Sequence, residues 1–128
     1  MKENLREIAT QARANAYAPY SKFPVGAALL SVSGRVFKGC NVENISFGLT
    51  MCAERVCVGN ALQEGEKSFE AIVIVSDSKE PVMPCGACRQ VLAEFSPNMS
   101  IISWTLQGDQ MEISLASLLP LSRQGILG

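Results

Sequence analysis

Cys52-Ala53-Glu54 is followed, after a stretch long enough for a helix and a strand, by Pro84-Cys85-Gly86-Ala87-Cys88. Both clusters fall where a loop gives way to a helical pattern, so their three thiols converge on one metal ion only in a fold that brings two helix starts together. A carboxylate two residues from the first thiol, with a fourth coordination position left open, supplies the parts of a hydrolytic zinc centre. The chain contains no histidine, which removes the usual neutral zinc ligand, the usual general base and any Ser-His or Cys-His nucleophile pair. Acid–base chemistry therefore falls to a carboxylate, and Glu54 is the nearest. Zinc lowers the pKa of a bound water from about 15.7 to roughly 7, so a carboxylate beside it can take a proton and later return it to a leaving group.

The rest of the chain supplies the framework. Leu5, Ile8, Ala9, Ala12 and Ala16 recur at helical spacing, which predicts an amphipathic helix near residues 2 to 17, ended by Pro19 and Pro24. Residues 25–32 and 35–40 flank Ser33-Gly34 and read as a β-hairpin with a two-residue turn. Ala53 to about Glu64 is a second helix closed by Gly65, and Ala71-Ile72-Val73-Ile74-Val75 is an apolar run typical of a central strand buried on both faces. A third helix over 86–95, a strand over 101–106 and an edge strand at Met111-Glu112-Ile113 complete the pattern. The fold class expected is α/β, a three-layer helix-sheet-helix arrangement with a mixed sheet of about five strands.

With 128 residues, 48% of them hydrophobic, residues 1–128 are expected to form one domain with a substantial core. Eleven basic and twelve acidic residues, net charge -1, form no long run of either sign, so the footprint of a nucleic-acid binder is missing and a small, roughly neutral substrate fits better. The segment Met1-Lys2-Glu3-Asn4-Leu5-Arg6-Glu7 lacks the apolar core of a signal peptide, and no apolar stretch approaches the roughly 20 residues of a membrane span, so a cytoplasmic protein with no membrane partner is expected. Five cysteines without an even spacing favour metal or redox use over a disulfide framework.

Thiols at helix starts sit near the positive ends of the helix dipoles, which stabilises thiolate. Pro84 ahead of the second cluster and Gly86 inside its first turn suit the close approach of Cys85 and Cys88 to one ion. Three thiolates on Zn²⁺ leave a formal charge of -1, which weakens Lewis acidity and calls for a compensating cation. Arg55 is the first candidate to donate to a ligand sulfur, and Arg89, next to Cys88, the second. The competing reading is a structural zinc knuckle, which needs a fourth ligand. Cys40 and Cys57 are the only thiols left to supply it. Cys57 lies five residues beyond Cys52 on the same helix and points elsewhere, and both spare cysteines are assigned to the core. A helix-start carboxylate favoured by the dipole and a solvated arginine are the plain alternatives for Glu54 and Arg55.

Cys52-Ala53-Glu54-Arg55 with Pro84-Cys85-Gly86-Ala87-Cys88-Arg89-Gln90 resembles the small homotetrameric zinc-dependent cytidine deaminases, a signature known for zinc deaminases generally. The resemblance runs from Tyr17-Ala18-Pro19-Tyr20-Ser21-Lys22-Phe23 through Gly39-Cys40-Asn41-Val42-Glu43-Asn44 to Leu118-Leu119-Pro120. It implies one zinc per chain on Cys52, Cys85 and Cys88, with Glu54 shuttling protons between water, N3 of the base and the departing amine. It further implies that Arg55 tempers the thiolate charge, that Asn41 and Glu43 hold the ribose 3'-hydroxyl, that Phe23 packs against the pyrimidine, and that the Ala53 backbone contacts the base. A homotetramer with pockets shared between subunits is implied as well. One departure stands out: after Leu118-Leu119-Pro120 the family usually carries an aromatic residue that reaches a neighbour's pocket, whereas this chain reads Leu121-Ser122-Arg123-Gln124. Arg123 could stack its guanidinium on a base or be solvated.

The expected reaction is hydrolytic deamination of free cytidine and deoxycytidine to uridine and deoxyuridine, with ammonia released. A modified cytosine nucleoside of the blasticidin S type is the alternative substrate. Polynucleotide deamination needs a basic, aromatic strand channel, and only 6% of the residues are aromatic. A non-catalytic zinc-binding module would fill its fourth coordination position.

Overall fold

The computed structural model describes residues 2–122. Its elements run α1 (Lys2–Arg13), β1 (Val25–Ser31), β2 (Val36–Cys40), a 3₁₀ turn (Phe47–Leu49), α2 (Ala53–Gln63), β3 (Phe69–Ser76), α3 (Gly86–Phe95), β4 (Ser100–Thr105), β5 (Gln110–Ser114) and α4 (Leu115–Leu118). The sheet order is β2-β1-β3-β4-β5, with β3 and β4 parallel and every other neighbouring pair antiparallel. The one parallel pair is bridged by α3, as a crossover requires. The α/β fold with a five-stranded mixed sheet is the one the sequence predicts.

Because strand side chains alternate, each central strand feeds two cores. Ala28 and Leu30 of β1 and Ala71, Val73 and Val75 of β3 pack with Leu5 and Ala9 of α1. Ala27 and Leu29, with Ile72 and Ile74, face the opposite way onto Ala53, Cys57, Val58 and Ala61 of α2 and Leu92 and Ala93 of α3. Burying an aliphatic side chain of this size contributes about 1.5–3 kcal/mol, so the two clusters are what hold the three layers together.

Two glycines set how closely helices approach. A Cβ on Gly26 would lie 2.0 Å from the Ala9 carbonyl oxygen and 2.6 Å from the Arg13 nitrogen, so the absent side chain is what lets α1 lie against β1. On the other face, a Cβ on Gly39 would lie 2.7 Å from the Ala53 carbonyl oxygen and 2.8 Å from the Cys57 nitrogen. Gly39 thereby brings the first turn of α2, and the residues around Cys52, down onto the sheet.

The structure corrects three expectations and adds one short helix. The first helix stops at Arg13, not 17: Ala14, Asn15 and Ala16 donate to carbonyls three residues back, and Tyr17 then pairs with Val42 through Tyr17 N–H to Asn41 O and Glu43 N–H to Tyr17 O. Tertiary pairing overrides the helical periodicity. The hairpin loop holds three residues, not two: Ser31 N–H donates to Arg35 O, Gly34 N–H donates to Ser31 O, and Gly34 takes the left-handed conformation at φ 95°. The short helix α4 follows β5 directly, started by Ser114, whose hydroxyl accepts from Ser117 N–H. Finally, Cys57 is buried but Cys40, at the end of an edge strand, is only partly so.

Candidate active site

Cys52 and Cys85 occupy the capping positions of α2 and α3, both with extended backbone, and neither thiol caps its own helix. Their sulfurs are free to meet each other. Cys52 Sγ lies 3.9 Å from Cys85 Sγ, and the sulfurs of Cys52, Cys85 and Cys88 all fall within 4.8 Å of one another. Cys88 is one helical turn into α3, so it projects from the same side as the residue that precedes the helix. Ligands about 2.3 Å from a tetrahedral zinc would be about 3.8 Å apart, so the three sulfurs stand close to the spacing a single ion needs.

The sulfurs stand close enough to shift one another's protonation. Cys52 is pushed down to about 5, chiefly because Cys88 donates to it, with burial opposing and Arg55 and Cys85 assisting. The Cys88 thiol is pushed up, first because it keeps its proton to donate a hydrogen bond to Cys52 and then by burial. Arg55 Nη2 donates to Cys52 Sγ at 3.5 Å and to the Thr50 carbonyl at 3.2 Å, while its Nε is buried with no partner among the described residues. Arg89 turns to other partners: Nε donates to Pro84 O at 2.7 Å and Nη1 to Leu118 O at 3.2 Å, tying the segment before Cys85 to the end of α4.

Glu54 is the second residue of α2 and only 6% exposed. Burial pushes its carboxyl up to about 7, against the opposing pull of the helix backbone, with the Cys52 thiolate adding to the rise. A buried carboxyl poised near neutrality is suited to taking and returning a proton.

The Glu54 side of this cluster opens on a cavity of about 280 Å³ whose lining brings together Phe23, Asn41, Glu43, Cys52, Ala53 and Glu54. Every one of the substrate-binding positions expected from the sequence is on this wall; Arg123 lies outside the described residues. Asn41 and Glu43 also carry structural hydrogen bonds. Asn41 Oδ1 accepts from Val25 N–H at 2.9 Å, and Nδ2 donates to Phe23 O at 3.0 Å. Glu43 Oε1 accepts from the Tyr20 and Ser21 N–H groups at 3.1 Å each, and Oε2 accepts from the Ser21 hydroxyl. These bonds, the Ser21 hydroxyl foremost, hold the Glu43 carboxyl below the usual carboxylate range. They also fix the loop that carries Phe23, in which Lys22 is in the left-handed region at φ 59°.

Comparison with known proteins matches this geometry to a family. Residues 1–103 match the family described as cytidine and deoxycytidylate deaminase zinc-binding region. The chain belongs to the cytidine and deoxycytidylate deaminase family. It is 51% identical over 120 residues to a cytidine deaminase of Halalkalibacterium halodurans, covering 93% of this chain and 91% of the relative. The structure of a cytidine deaminase from Burkholderia pseudomallei superposes with a TM-score of 0.91 at 47% identity, covering 94% of this chain and 98% of that one. A blasticidin-S deaminase of Bacillus cereus is more distant, 30% identical over 125 residues, covering 91% of this chain and 88% of the relative.

In this deaminase the donor set fits zinc, one ion per chain on Cys52, Cys85 and Cys88. Soft thiolates select zinc over the hard cations, and sulfurs crowded enough to contend for protons are relieved by a dication that takes all three as thiolates. No fourth side-chain ligand joins them among the described residues. Cys40 and Cys57 stay apart from the cluster, and burial raises the thiol of each above its ordinary value.

Sequence reasoning missed several lining residues of the deaminase pocket: Ser21, Val25, Thr50, Ile74, Val82 and Met83. Ser21 and Thr50 sit in irregular segments whose side-chain direction no periodicity reveals. Val82 and Met83 did carry a signal, an apolar pair directly before Pro84 in a segment otherwise polar from Asp77 to Glu80.

Proposed function

We propose that this chain hydrolyses free cytidine and deoxycytidine to uridine and deoxyuridine, releasing ammonia, and that residues 1–128 act as one catalytic domain. The observation that carries the reading is a buried carboxyl, Glu54, beside three converging thiols at the head of a cavity sized for a small molecule. Zinc, when bound, supplies the Lewis acidity that makes a water nucleophilic at neutral pH. Glu54 takes the proton that this water loses and delivers it to N3 of the cytosine as oxygen bonds to C4. It then carries the remaining hydroxyl proton to the 4-amino group, the C4–N bond breaks, ammonia leaves, and the product keeps a C4 carbonyl and a proton on N3.

Arg55 draws charge from Cys52, which keeps the thiolates from quenching the Lewis acidity they surround. Asn41 and Glu43 receive the ribose 3'-hydroxyl, an amide and a carboxylate being suited to a group that both accepts and donates. Phe23 lies on the pyrimidine, and the Ala53 backbone meets the base.

The reading extends to a homotetramer with shared pockets. Ile45, Phe47, Leu49 and Met51 are exposed, Ile45 by 81%, on the segment that joins the pocket residues Glu43 and Cys52. Apolar side chains there are suited to burial against another copy. It extends also to pyrimidine salvage in the cytoplasm, which five unpaired cysteines suit.

Substrate range is tested by ammonia release from zinc-quantified protein offered cytidine, deoxycytidine, blasticidin S and single-stranded oligonucleotide. Turnover of the two free nucleosides with the other two left intact supports the reading. Preference for blasticidin S moves the assignment to the modified nucleoside, and no turnover by zinc-loaded protein overturns it.

A further inference from the structure

The pocket is chemically divided. Ser21, Asn41, Glu43 and Thr50 supply polar groups from the loops after α1 and β2, with Phe23 and Val25 adding apolar surface beside them, and Ile74, Val82 and Met83 supply an apolar wall from β3 and from the segment leading into Cys85. Val82 and Met83 are partly buried and pack against the core beneath α2 and α3. They border the cavity at one face and are supported at the other.

The wall has a counterpart on a cytosine ring. C4 has two ring neighbours on opposite flanks, N3, which exchanges a proton, and C5, which carries only C–H. With C4 at the sulfur cluster and N3 turned to Glu54 at the start of α2, C5 is turned away from Glu54, and Val82 and Met83, on the approach to α3, are among the apolar lining left to receive it. The apolar edge of the base then meets the apolar wall. Resting on the nucleoside reading above, we infer that Met83, with Val82 beside it, sets how large a C5 substituent the enzyme accepts. Methionine is unbranched and adaptable, so it closes on the bare C–H edge and gives way to a small group.

The experiment measures kcat/KM, and the dissociation constants of the uridine and 5-substituted uridine products, for cytidine, 5-methylcytidine and 5-iodocytidine. It uses zinc-quantified wild type, Met83→Ala, Met83→Leu and Val82→Ala. A methylene in an apolar pocket discriminates by roughly 10- to 200-fold, so Met83→Ala is expected to raise the 5-iodo to unsubstituted ratio about tenfold or more. Val82→Ala is expected to move it the same way by less, and volume-conserving Met83→Leu to move it little. Wild type that deaminates cytidine, with ratios unmoved in both alanine variants, overturns the inference and leaves the nucleoside reading standing. Wild type that neither binds nor turns over any of these nucleosides overturns the reading and the inference together. Should Met83→Ala fold poorly, Val82→Ala and the product affinities carry the same comparison.

Discussion

The two faces of the sheet are built from the same strands yet differ in kind. On the α1 face, Leu5, Ala9, Ala28, Leu30, Val73, Val75 and Ile102 close into an apolar layer, with Arg6 stacked 4.0 Å over the Trp104 ring at its margin. On the α2/α3 face, the same alternation supplies Ile72 and Ile74, but the layer is interrupted at one end by Glu54, Asn41, Glu43 and three cysteines. The difference lies in the helices. α1 lies along the sheet and buries one side, whereas α2 and α3 both begin at the site and present capping residues there. Both faces hold the fold, but only the α2/α3 face also carries a buried carboxyl and unpaired thiols.

The largest effect that sharpens this contrast comes from the closed face. Leu5→Ala removes a side chain that is 1% exposed and is expected to lower stability by about 2–5 kcal/mol in denaturant titration, the ordinary cost of such a cavity. Zinc content and the KM of the folded fraction stay at wild-type values; a changed KM would mean that the faces are not separable.

Arg55→Ala inverts the pattern. Losing a partner of a metal ligand typically weakens metal affinity about 10- to 100-fold. Competition with a chelator is expected to show that loss, while thermal unfolding of the zinc-saturated protein moves by less than for Leu5→Ala. Unchanged zinc affinity would remove Arg55 from the account.

How far the chain discloses itself follows the same division. The strands and α3 are legible because alternation and a helix-start cysteine pair are local signals, and α3 runs over the residues expected of it. The end of α1 is not legible, because Tyr17 leaves the helical pattern to pair with Val42, which lies far along the chain. Nor is the third residue of the hairpin loop, where Val32 N–H is drawn to Ser68 O and Glu66 accepts from the hydroxyls of Ser31 and Ser33. At the site, the cysteines and Glu54 stand out through spacing and the lack of histidine. The loop-holding hydrogen bonds of Asn41 and Glu43 do not, since their partners at 20–25 become visible only once the chain folds back.

The smallest effect concerns that loop. Glu43 titrates below the ordinary glutamate value in the folded protein, so it contributes stability that is fully present above the unfolded-state pKa of about 4.3 and is lost as pH falls through the lower folded value. Thermal unfolding of wild type and Glu43→Gln should therefore differ by a constant amount above about pH 5 and converge as the solution is acidified further. A gap that persists or widens in acid would show that the carboxylate is not what holds residues 20–25.

The account turns on Glu54, and Glu54→Gln tests it most directly, because the change nearly keeps size while removing the titratable proton. Zinc per chain and ammonia release from cytidine, measured on the same sample, are the readout. The expected result is zinc at the wild-type level with ammonia release reduced by at least about 10²–10⁴-fold, the usual contribution of a positioned proton carrier. Zinc retained with near-wild-type ammonia release would contradict the assignment of proton transfer to this carboxylate.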